Sequence, residues 1–311
     1  MSIDQSDRRD ALLTELRERI ARHHRAQKAT GIEGFRICAS DRPTEPQVST
    51  SGTVLAVIVQ GSKRLAIGDR VYDYGPGQHL IASIDLPVSG HVTKASPEEP
   101  ALGIGMTLRP SAVASLLLEA PAKLAPPPDQ PAGAGPALGV ADASAELLDA
   151  LVRMMRLLDS SDDRHVLAPS IEREILWRLL TGPLAATAWQ VGRSDSTLTH
   201  IGRAVRWITD HYNTPFRVED LARSCAMSPS AFHRNFHAVT ALSPIQFQKQ
   251  VRLERSRLLL MSGAVDVATV GHRVGYDNTS QFSREYRRQF GLPPGRDAAR
   301  LRALSGQARA S

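Results

Sequence analysis

Hydrophobic residues change their spacing twice along this chain, and each change marks a different kind of element. Residues 7–28 carry Leu12, Leu16 and Ile20 at helical spacing between charged positions, which predicts an amphipathic helix. From about 32 to 107, short runs rich in Val and Ile alternate with Gly, Pro and Asp, which predicts a β-sandwich or barrel. From Ser144 onward the helical spacing returns. The pattern therefore predicts a multi-domain α+β protein.

Turn and loop residues divide these regions further. The stretch KRLAIGDRVYDYG at 63–75 predicts two strands around a Gly68-Asp69 turn. Pro110 opens a predicted helix over 110–120, and a Pro/Ala/Gly-rich stretch at 121–139 predicts a loop. Two further helices are predicted over 144–158 and 167–181, and the second of them stops at Gly182-Pro183. A linker over 184–195 follows.

Charge is distributed unevenly over the 311 residues, whose formal net charge is +6. Residues 195–311 hold 17 Lys or Arg and 9 Asp or Glu, a net charge of +8, whereas residues 1–194 hold 21 and 23, a net charge of −2. A cationic half attracts polyanions such as nucleic acid. A solvated basic surface would give the same excess, so charge alone leaves both interpretations open.

Composition narrows the class of protein. About 42% of the residues are hydrophobic, which is enough to build cores, and the length favours two domains. The longest apolar runs are far shorter than the roughly 20 residues of a membrane span, and residues 1–16 lack the apolar segment of a signal peptide. Cys38 and Cys225 are too few for a disulfide framework or a zinc site. We therefore expect a cytoplasmic protein that does not associate with membranes.

The cationic half contains an approximate internal duplication, LARSCAMSPSAFHRNFHAVTALSP at 221–244 and VGHRVGYDNTSQFSREYRRQFGLPP at 270–294. The two copies share an aromatic–Arg–aromatic pattern, formed by Phe232, Arg234 and Phe236 in the first and by Phe282, Arg284 and Tyr286 in the second. Matching residues are 50 positions apart here but 49 apart before the turn, so the second turn is one residue longer. Repetition at a fixed period indicates a duplicated structural unit.

The spacing within each copy predicts a helix-turn-helix. Aromatics at i and i+4 share one helix face and can be buried, so the Arg at i+2 points the opposite way. A short helix precedes each turn, over about 219–225 and 266–273, and Ser228 and Asn278 are favourable N-caps for the helices that follow. Such a motif places its second helix in the DNA major groove. A continuous helix over about 244–261 would join the two copies.

Exposed polar residues on the two second helices are the candidate DNA contacts. Arg234 and Arg284 are the best placed, because an Arg can form two hydrogen bonds with a guanine. Arg287 and Arg288 are candidates for phosphate contact, with a solvated surface as the alternative. The other candidates are Ser230, His233, Thr279, Ser280 and Gln281; about half of such positions contact only phosphate or nothing. The repeat aromatics and Trp207 are expected in the core, and most of the joining-helix arginines (Arg252, Arg255, Arg257) are expected to be scaffold charges.

These motifs resemble the signature of the AraC/XylS family of transcription regulators. The resemblance rests on LARSCAMSPSAFHRNF, SPIQFQKQVRLERSRLLL and GYDNTSQFSREYRRQFGLPP, and it continues upstream. VLAVIVQGSKRLAIGDRVYDYGPGQHLIASIDLPVSGHVTKASPEEP resembles the cupin-like domain of one branch, and LAPSIEREILWRLLTGP resembles that branch's helical connector. The similarity covers roughly 30–304. One departure is PPGRDAARL after Gly291, where many members have a Pro-x-x-Tyr-Arg ending.

The resemblance implies a cupin-like β-barrel, a helical connector and a C-terminal all-α double helix-turn-helix. The implied divisions are an N-terminal helix at 1–30, a sensor or dimerisation barrel at 31–120, a loop and helical connector at 121–183, a linker at 184–195 and a DNA-binding domain at 196–304. The implied function is a sequence-specific transcription regulator, a homodimer that binds double-stranded promoter DNA and responds to a small-molecule effector in the barrel. If it acts as an activator, RNA polymerase is the expected further partner.

Two other functions are compatible with parts of the sequence. A metal-dependent cupin enzyme tethered to nucleic acid is one, but His79 and His91 lack the His-x-His pair and the Glu that such a metal site needs. We expect no metal or cofactor, no catalytic residues and no enzymatic activity, and we keep these two histidines as weak effector-binding candidates. The other is non-specific binding to nucleic acid, which would show salt dependence without sequence preference.

Overall fold

A computed structural model describes residues 2–26, 29–67, 70–121, 137–192, 197–261 and 266–307. The chain forms two compact units, one of residues 1–202 with 238–241 and the other of residues 203–237 with 242–311. None of the helices in the described ranges combines the length and the apolar character that a membrane span requires.

Nine strands in the described part of the first unit form two antiparallel sheets. They are β1 (Phe35–Ser40), β2 (Gln47–Thr50), β3 (Val54–Gln60), β4 (Ser62–Ile67), β5 (Arg70–Tyr74), β6 (Gln78–Ala82), β7 (Pro87–Lys94), β8 (Ala101–Thr107) and β9 (Leu138–Asp142). One sheet has the order β1-β8-β3-β6-β9 and the other the order β2-β7-β4-β5. Consecutive strands such as β3 and β4 pair in different sheets, so the described strands form two sheets that do not close into a single barrel. The arrangement is compatible with a cupin-like jelly roll.

Strand register decides which side chains of the five-stranded sheet meet the helices. Val57 pairs with both His79 and Ile104, and Leu55 pairs with Ile81 and Met106, so these side chains share one face. That face packs in one core with Leu16 and Ile20 of the helix α1 (Ser2–Arg25) and with buried residues of α3 (Ala145–Arg156) and α4 (Ser161–Leu180). The intervening residues, among them Ala56, Leu80 and Gly105, face the other way and line a cavity of about 740 Å³ between the sheets.

The helices of the first unit differ in part from the sequence expectations. Helix α2 (Pro110–Glu119) and the N-cap of α3, where Ser144 accepts a hydrogen bond from the amide of Leu147, agree with them. Helix α4, expected over 167–181, begins at Ser161 with Asp162 and Asp163 in its first turn and continues through Pro169. The predicted linker 184–195 contains the helix α5 (Ala185–Gly192), because Thr187, Ala188 and Val191 are buried.

Strand β9 is a further element that the sequence analysis missed. It lies at the end of the stretch expected to be a loop, and it pairs with β6 from Leu138 opposite Ala82 to Asp142 opposite Gln78. The sheet therefore extends into the region assigned to a helical connector. The Gly68-Asp69 turn and residues 122–136 of the predicted loop lie outside the described residues.

The second unit is helical throughout its described part. Its first helix, α6 (Thr197–Asp210), begins in the first unit and continues into the second. The helices that follow are α7 (Val218–Ser224), α8 (Pro229–Thr240), α9 (Pro244–Met261), α10 (Val267–Arg273), α11 (Thr279–Phe290) and α12 (Pro294–Gln307). Helix α9 is the centre of the packing, since α10, α11 and α12 all contact it. Trp207, expected in the core, is 37% exposed and stacks on His211 with ring centroids 4.6 Å apart.

Candidate nucleic-acid interface

Helices α7 and α8 form the first of two helix-turn-helix motifs. Leu221 and Ala222 on α7 are buried, and the chain reverses at Ala226, whose φ of 54° is in the left-handed region. Ser228 caps α8, because its hydroxyl accepts a hydrogen bond from the amide of Ala231 at 3.3 Å. The predicted cap is therefore confirmed.

Helices α10 and α11 form the second motif with the same construction. Asp266 caps α10 by accepting from the amides of Ala268 and Thr269, at 2.9 and 3.0 Å. Gly275 takes the place that Ala226 has in the first motif, with φ of 89°. Asn278 caps α11 by accepting from the amides of Ser280 and Gln281, which confirms the second predicted cap.

The repeated aromatics form the interior on which both second helices rest. Phe232, Phe236, Phe282 and Tyr286 are fully buried. The ring centroids of Phe232 and Phe236 are 5.5 Å apart, and Phe236 meets Phe247 of α9 edge-on at the same separation. In the second copy the rings of Phe282 and Tyr286 are 5.7 Å apart. The aromatic spacing therefore fixes the buried face of each helix, as the sequence predicted.

The candidate DNA contacts lie on the outward faces of α8 and α11. The exposed ones are Ser230, His233, Arg234, Ser280, Gln281, Arg284, Arg287 and Arg288, while Thr279 is partly exposed. Within the described residues, neither Arg234 nor Arg284 has a hydrogen-bond or ion-pair partner. Their guanidinium groups are thus free to meet an anion or a base edge.

Glu285 supports the exposed face of α11 and was missed by the sequence analysis. Its carboxylate accepts from Lys249 Nζ at 3.0 Å, from the Tyr276 hydroxyl at 2.8 Å and from Gln281 Nε2 at 3.3 Å. Burial opposes ionisation, but these hydrogen bonds outweigh it and hold the pKa of Glu285 below its usual range. The Gln–Glu spacing of i, i+4 is the sequence signal for this contact.

Arginines of α9 tie this helix to its neighbours in the second unit. Arg252 donates from Nε to the carbonyl of Tyr212 at 2.6 Å and from Nη1 to the carbonyl of Gly275 at 2.8 Å. Arg257 pairs with Asp297 of α12 at 2.8 Å, and Arg255 lies over the Tyr212 ring. Arg252 and Arg257 are therefore scaffold residues, as expected.

Asp297 fixes the last helix, where the sequence departs from the usual family ending. Its side chain is fully buried and accepts hydrogen bonds from Arg257, Arg300 and the Tyr286 hydroxyl. Burial raises the pKa of Asp297, but these partners outweigh that effect and hold it below its ordinary value. Helix α12 is thus tied to both α9 and α11.

His79 and His91 lie on different sheets, and neither lines the cavity between them. His79 is 2% exposed and faces the helical layer, and burial lowers its pKa to about 4 although the backbone of Ala141 offsets part of the effect. His91 pairs with Arg64, on the outer face that carries the Arg64–Asp73 ion pair. Across the described ranges, no three His, Cys, Asp or Glu side chains are grouped so that they could hold a metal ion.

Comparison with known proteins agrees with this architecture. RhaS, the HTH-type transcriptional activator of Klebsiella pneumoniae, is 29% identical over 155 residues, which are 48% of this chain and 54% of RhaS. RhaS of Escherichia coli is 24% identical over 148 residues, 48% of this chain and 53% of RhaS. The chain thus spans about half the length of the curated relatives it matches.

A solved structure shows the same fold over most of the chain. ToxT from Vibrio cholerae, crystallised with an unsaturated fatty acid, aligns over 86% of this chain and 95% of ToxT, with a TM-score of 0.52 and 10% identity. The profile of a helix-turn-helix domain matches residues 221–300. The profile of the AraC-type transcriptional regulator N-terminus matches residues 31–187, about half of the chain. The chain therefore belongs to the family of AraC-type transcriptional regulators.

Proposed function

We propose that this protein is a sequence-specific transcription regulator that places α8 and α11 in the major groove of promoter DNA. The observation that carries the proposal is the duplicated helix with a buried aromatic face and an outward arginine, Arg234 or Arg284, that has no partner among the described residues. A free guanidinium can form two hydrogen bonds with a guanine, which discriminates against other bases by about 1–3 kcal/mol.

The other exposed residues receive roles from their positions on the two helices. Ser230 and His233 on α8, with Thr279, Ser280 and Gln281 on α11, lie in the N-terminal halves, which contact base edges in such motifs. Arg287 and Arg288, in the last turn of α11, are assigned to phosphates. Two such helices on one chain suit two successive major-groove segments about 34 Å apart.

A footprint on genomic DNA tests the proposal. Wild-type protein should protect a defined site, and Arg284→Ala should weaken binding to that site about tenfold or more and relax the base preference at one position. Arg42→Ala is the matched control, because Arg42 is an exposed arginine of the first unit whose side chain is 71% accessible. Absence of any specific site, or equal losses for the two variants, would contradict the proposal.

The first unit is proposed to sense a small-molecule effector. A ligand that binds one arrangement of this unit better than another would shift the population of DNA-binding states. Two similar proteins support this direction, since RhaS is a transcriptional activator and ToxT is crystallised with a fatty acid. We accordingly propose a cytoplasmic, non-enzymatic activator that works with RNA polymerase.

Homodimerisation is proposed through the helices that cover the five-stranded sheet. Helix α4 exposes Val166 and Leu167, which are 72% and 45% accessible, and α2 exposes Leu118 at 89%. Exposed apolar side chains of this size are typical of contact surfaces when they occur together. Light scattering should give a dimer mass at micromolar concentration, and a monomer at that concentration would count against the proposal.

A further inference from the structure

The cavity between the two sheets has the size and the walls of a small-molecule site. Its volume of about 740 Å³ lies within the roughly 300–1,000 Å³ typical of ligand pockets. Most of its wall is aliphatic, contributed by Val54, Ala56, Ile58, Leu65, Leu80 and Val88. Small residues, including Ala56 on β3 and Gly105 on β8, leave the space open. The body of a ligand seated here would therefore be apolar.

Polar side chains gather on one part of the cavity lining. Lys63 pairs with Tyr74 across β4 and β5, so their side chains lie next to each other on the same face. Arg36 and Cys38 alternate on β1 and both line the cavity. Cys38 lies close enough to Tyr74 to add to the effect of burial, which raises the pKa of the tyrosine hydroxyl. We call these four residues the polar end of the cavity: Tyr74 is buried, Lys63 is half-buried, and Arg36 and Cys38 are exposed where the cavity meets solvent.

The donors at the polar end have no acceptor within the described part of the protein. Tyr74 is 3% exposed, yet no described residue forms a hydrogen bond with its hydroxyl. Lys63 and Arg36 likewise have no hydrogen-bond or ion-pair partner in the described ranges, and no described residue that lines the cavity is Asp or Glu. Because Tyr74 keeps its proton at neutral pH, the polar end offers hydrogen-bond donors and two cations without a compensating anion.

The hydrogen-bond donors and cations of the polar end, together with the aliphatic walls, indicate which chemical class of ligand the cavity would bind. A polyhydroxylated neutral sugar would need acceptors as well as donors along its whole length. The hydroxyls of Thr30, Ser40 and Ser51 also line the cavity, but each already forms a hydrogen bond with the backbone. A carboxylate accepts hydrogen bonds on both oxygens and supplies the missing negative charge. We propose that the cavity binds a monocarboxylate with an apolar body, whose head group meets Lys63, Tyr74 and Arg36. This inference rests on the proposed function, because it names the class of effector for the same sensing unit.

Octanoate and 1-octanol make a direct test, since they share the apolar body and differ in the head group. Calorimetry and thermal shift on the full chain should show octanoate binding at least about tenfold more tightly than 1-octanol, the ratio expected for one charge-assisted hydrogen bond. Lys63→Gln and Tyr74→Phe should each weaken octanoate about tenfold and leave 1-octanol within about threefold.

Two further variants locate the binding. Lys94→Gln is the matched control, because Lys94 is exposed on β7 and does not line the cavity. Gly105→Val should abolish binding of both probes by filling the cavity, since a Cβ at Gly105 meets only Arg36, at 3.8 Å or more. The melting temperature of each variant without ligand shows that it is folded. Equal affinity for the two probes, or equal losses for Lys63→Gln and Lys94→Gln, would overturn the inference.

The DNA footprint separates this inference from the proposed function. A specific footprint in a protein that binds neither probe would overturn the ligand class and leave the DNA proposal standing. Octanoate binding that Lys63→Gln removes, in a protein without a specific DNA site, would support the ligand class and contradict the proposed regulation.

Discussion

Gly275 shows how a single position in a turn depends on space as well as on backbone conformation. Its φ of 89° resembles that of Gly291, at 78°, and the first motif accepts Ala226 at 54°. A Cβ at Gly275 would overlap the carbonyl oxygen of Asn213 and lie 2.9 Å from Arg252 Cζ, whereas one at Gly291 would meet nothing within 4 Å. The left-handed conformation alone is therefore tolerated, and the close approach of other atoms is what excludes a side chain from Gly275.

We predict that Gly275→Ala destabilises the protein more than Gly291→Ala does. Gly291→Ala should cost about 1–2 kcal/mol of unfolding free energy, the penalty of a left-handed conformation. Gly275→Ala adds a backbone collision, and it also disturbs the hydrogen bond that Arg252 donates to the Gly275 carbonyl. Urea denaturation of the two variants measures the difference. Equal losses would mean that conformation, and not the Asn213 contact, decides the residue at this turn.

Glu254 is a buried carboxyl on α9 with an uncompensated oxygen. It is 8% exposed, its Oε1 has no hydrogen-bond partner among the described residues, and burial raises its pKa to about 8 against the opposing effects of Gln250 and Arg255. The unfolded value is about 4.3. The folded state therefore binds a proton that the unfolded state releases, and stability should fall as the pH rises from about 4 to 8.

We predict that Glu254→Gln is more stable than wild type at pH 8, by about 1 kcal/mol or more, and that the gap narrows at pH 5. The amide keeps the shape of the side chain and removes the cost of burying a charge. Chemical denaturation at the two pH values measures both gaps. Glu98→Gln, at an exposed carboxyl, is the control. A gap that is constant with pH would show that Glu254 does not carry this dependence.

The sequence predicted helices and strands well where local contacts stabilise them and poorly where distant residues do. Helices α8 and α11 were predicted well, because their caps at Ser228 and Asn278 and their i, i+4 aromatics are local signals. Strand β9 has five residues and depends on pairing with β6, which lies more than fifty residues away. Helix α5 depends on burying Ala188 and Val191. A short window of sequence does not contain those tertiary partners.

Helix α12 is held by a contact that its sequence did not reveal. We predict that Asp297→Asn costs about 3 kcal/mol of unfolding free energy, since it removes the ion pair between Asp297 and the largely buried Arg257. The pKa of Asp297 is lowered, so its contribution is present above the unfolded value of about 3.9 and is lost as the pH falls below it.

Denaturation at pH 7 and pH 3 tests this prediction. Asp266→Asn is the matched control, because Asp266 is an exposed helix cap and Asn caps about as well as Asp. A loss for Asp297→Asn no larger than that of the control at pH 7 would show that α12 is held by its apolar contacts alone.

At the scale of the whole molecule, the sequence predicted a division between a near-neutral half and a cationic half, but not the cavity. Whether Lys63 or Arg64 faces the cavity is decided by the register of β4 against β5 and β7. A shift of one residue would exchange the faces. The cavity also forms only between two sheets, and each sheet takes its strands from separate parts of the chain. The same reason explains why His79 and His91 could not be placed from sequence alone.

The cationic half leads to a prediction about salt that separates phosphate-binding from base-reading arginines. Removing one side chain that neutralises a phosphate should reduce the slope of log affinity against log salt concentration by about 0.9. Arg287 and Arg288 are assigned to phosphates. The double variant Arg287→Ala, Arg288→Ala should therefore flatten the slope by about 2 and weaken binding to specific and non-specific DNA similarly.

Arg284→Ala should instead weaken binding to the specific site more than binding to non-specific DNA, because a base contact carries discrimination. Titrations at several salt concentrations, on the footprinted site and on a scrambled sequence, measure both effects. If Arg284→Ala weakened the two DNAs equally, α11 would be binding the phosphate backbone only, and specificity would have to come from α8.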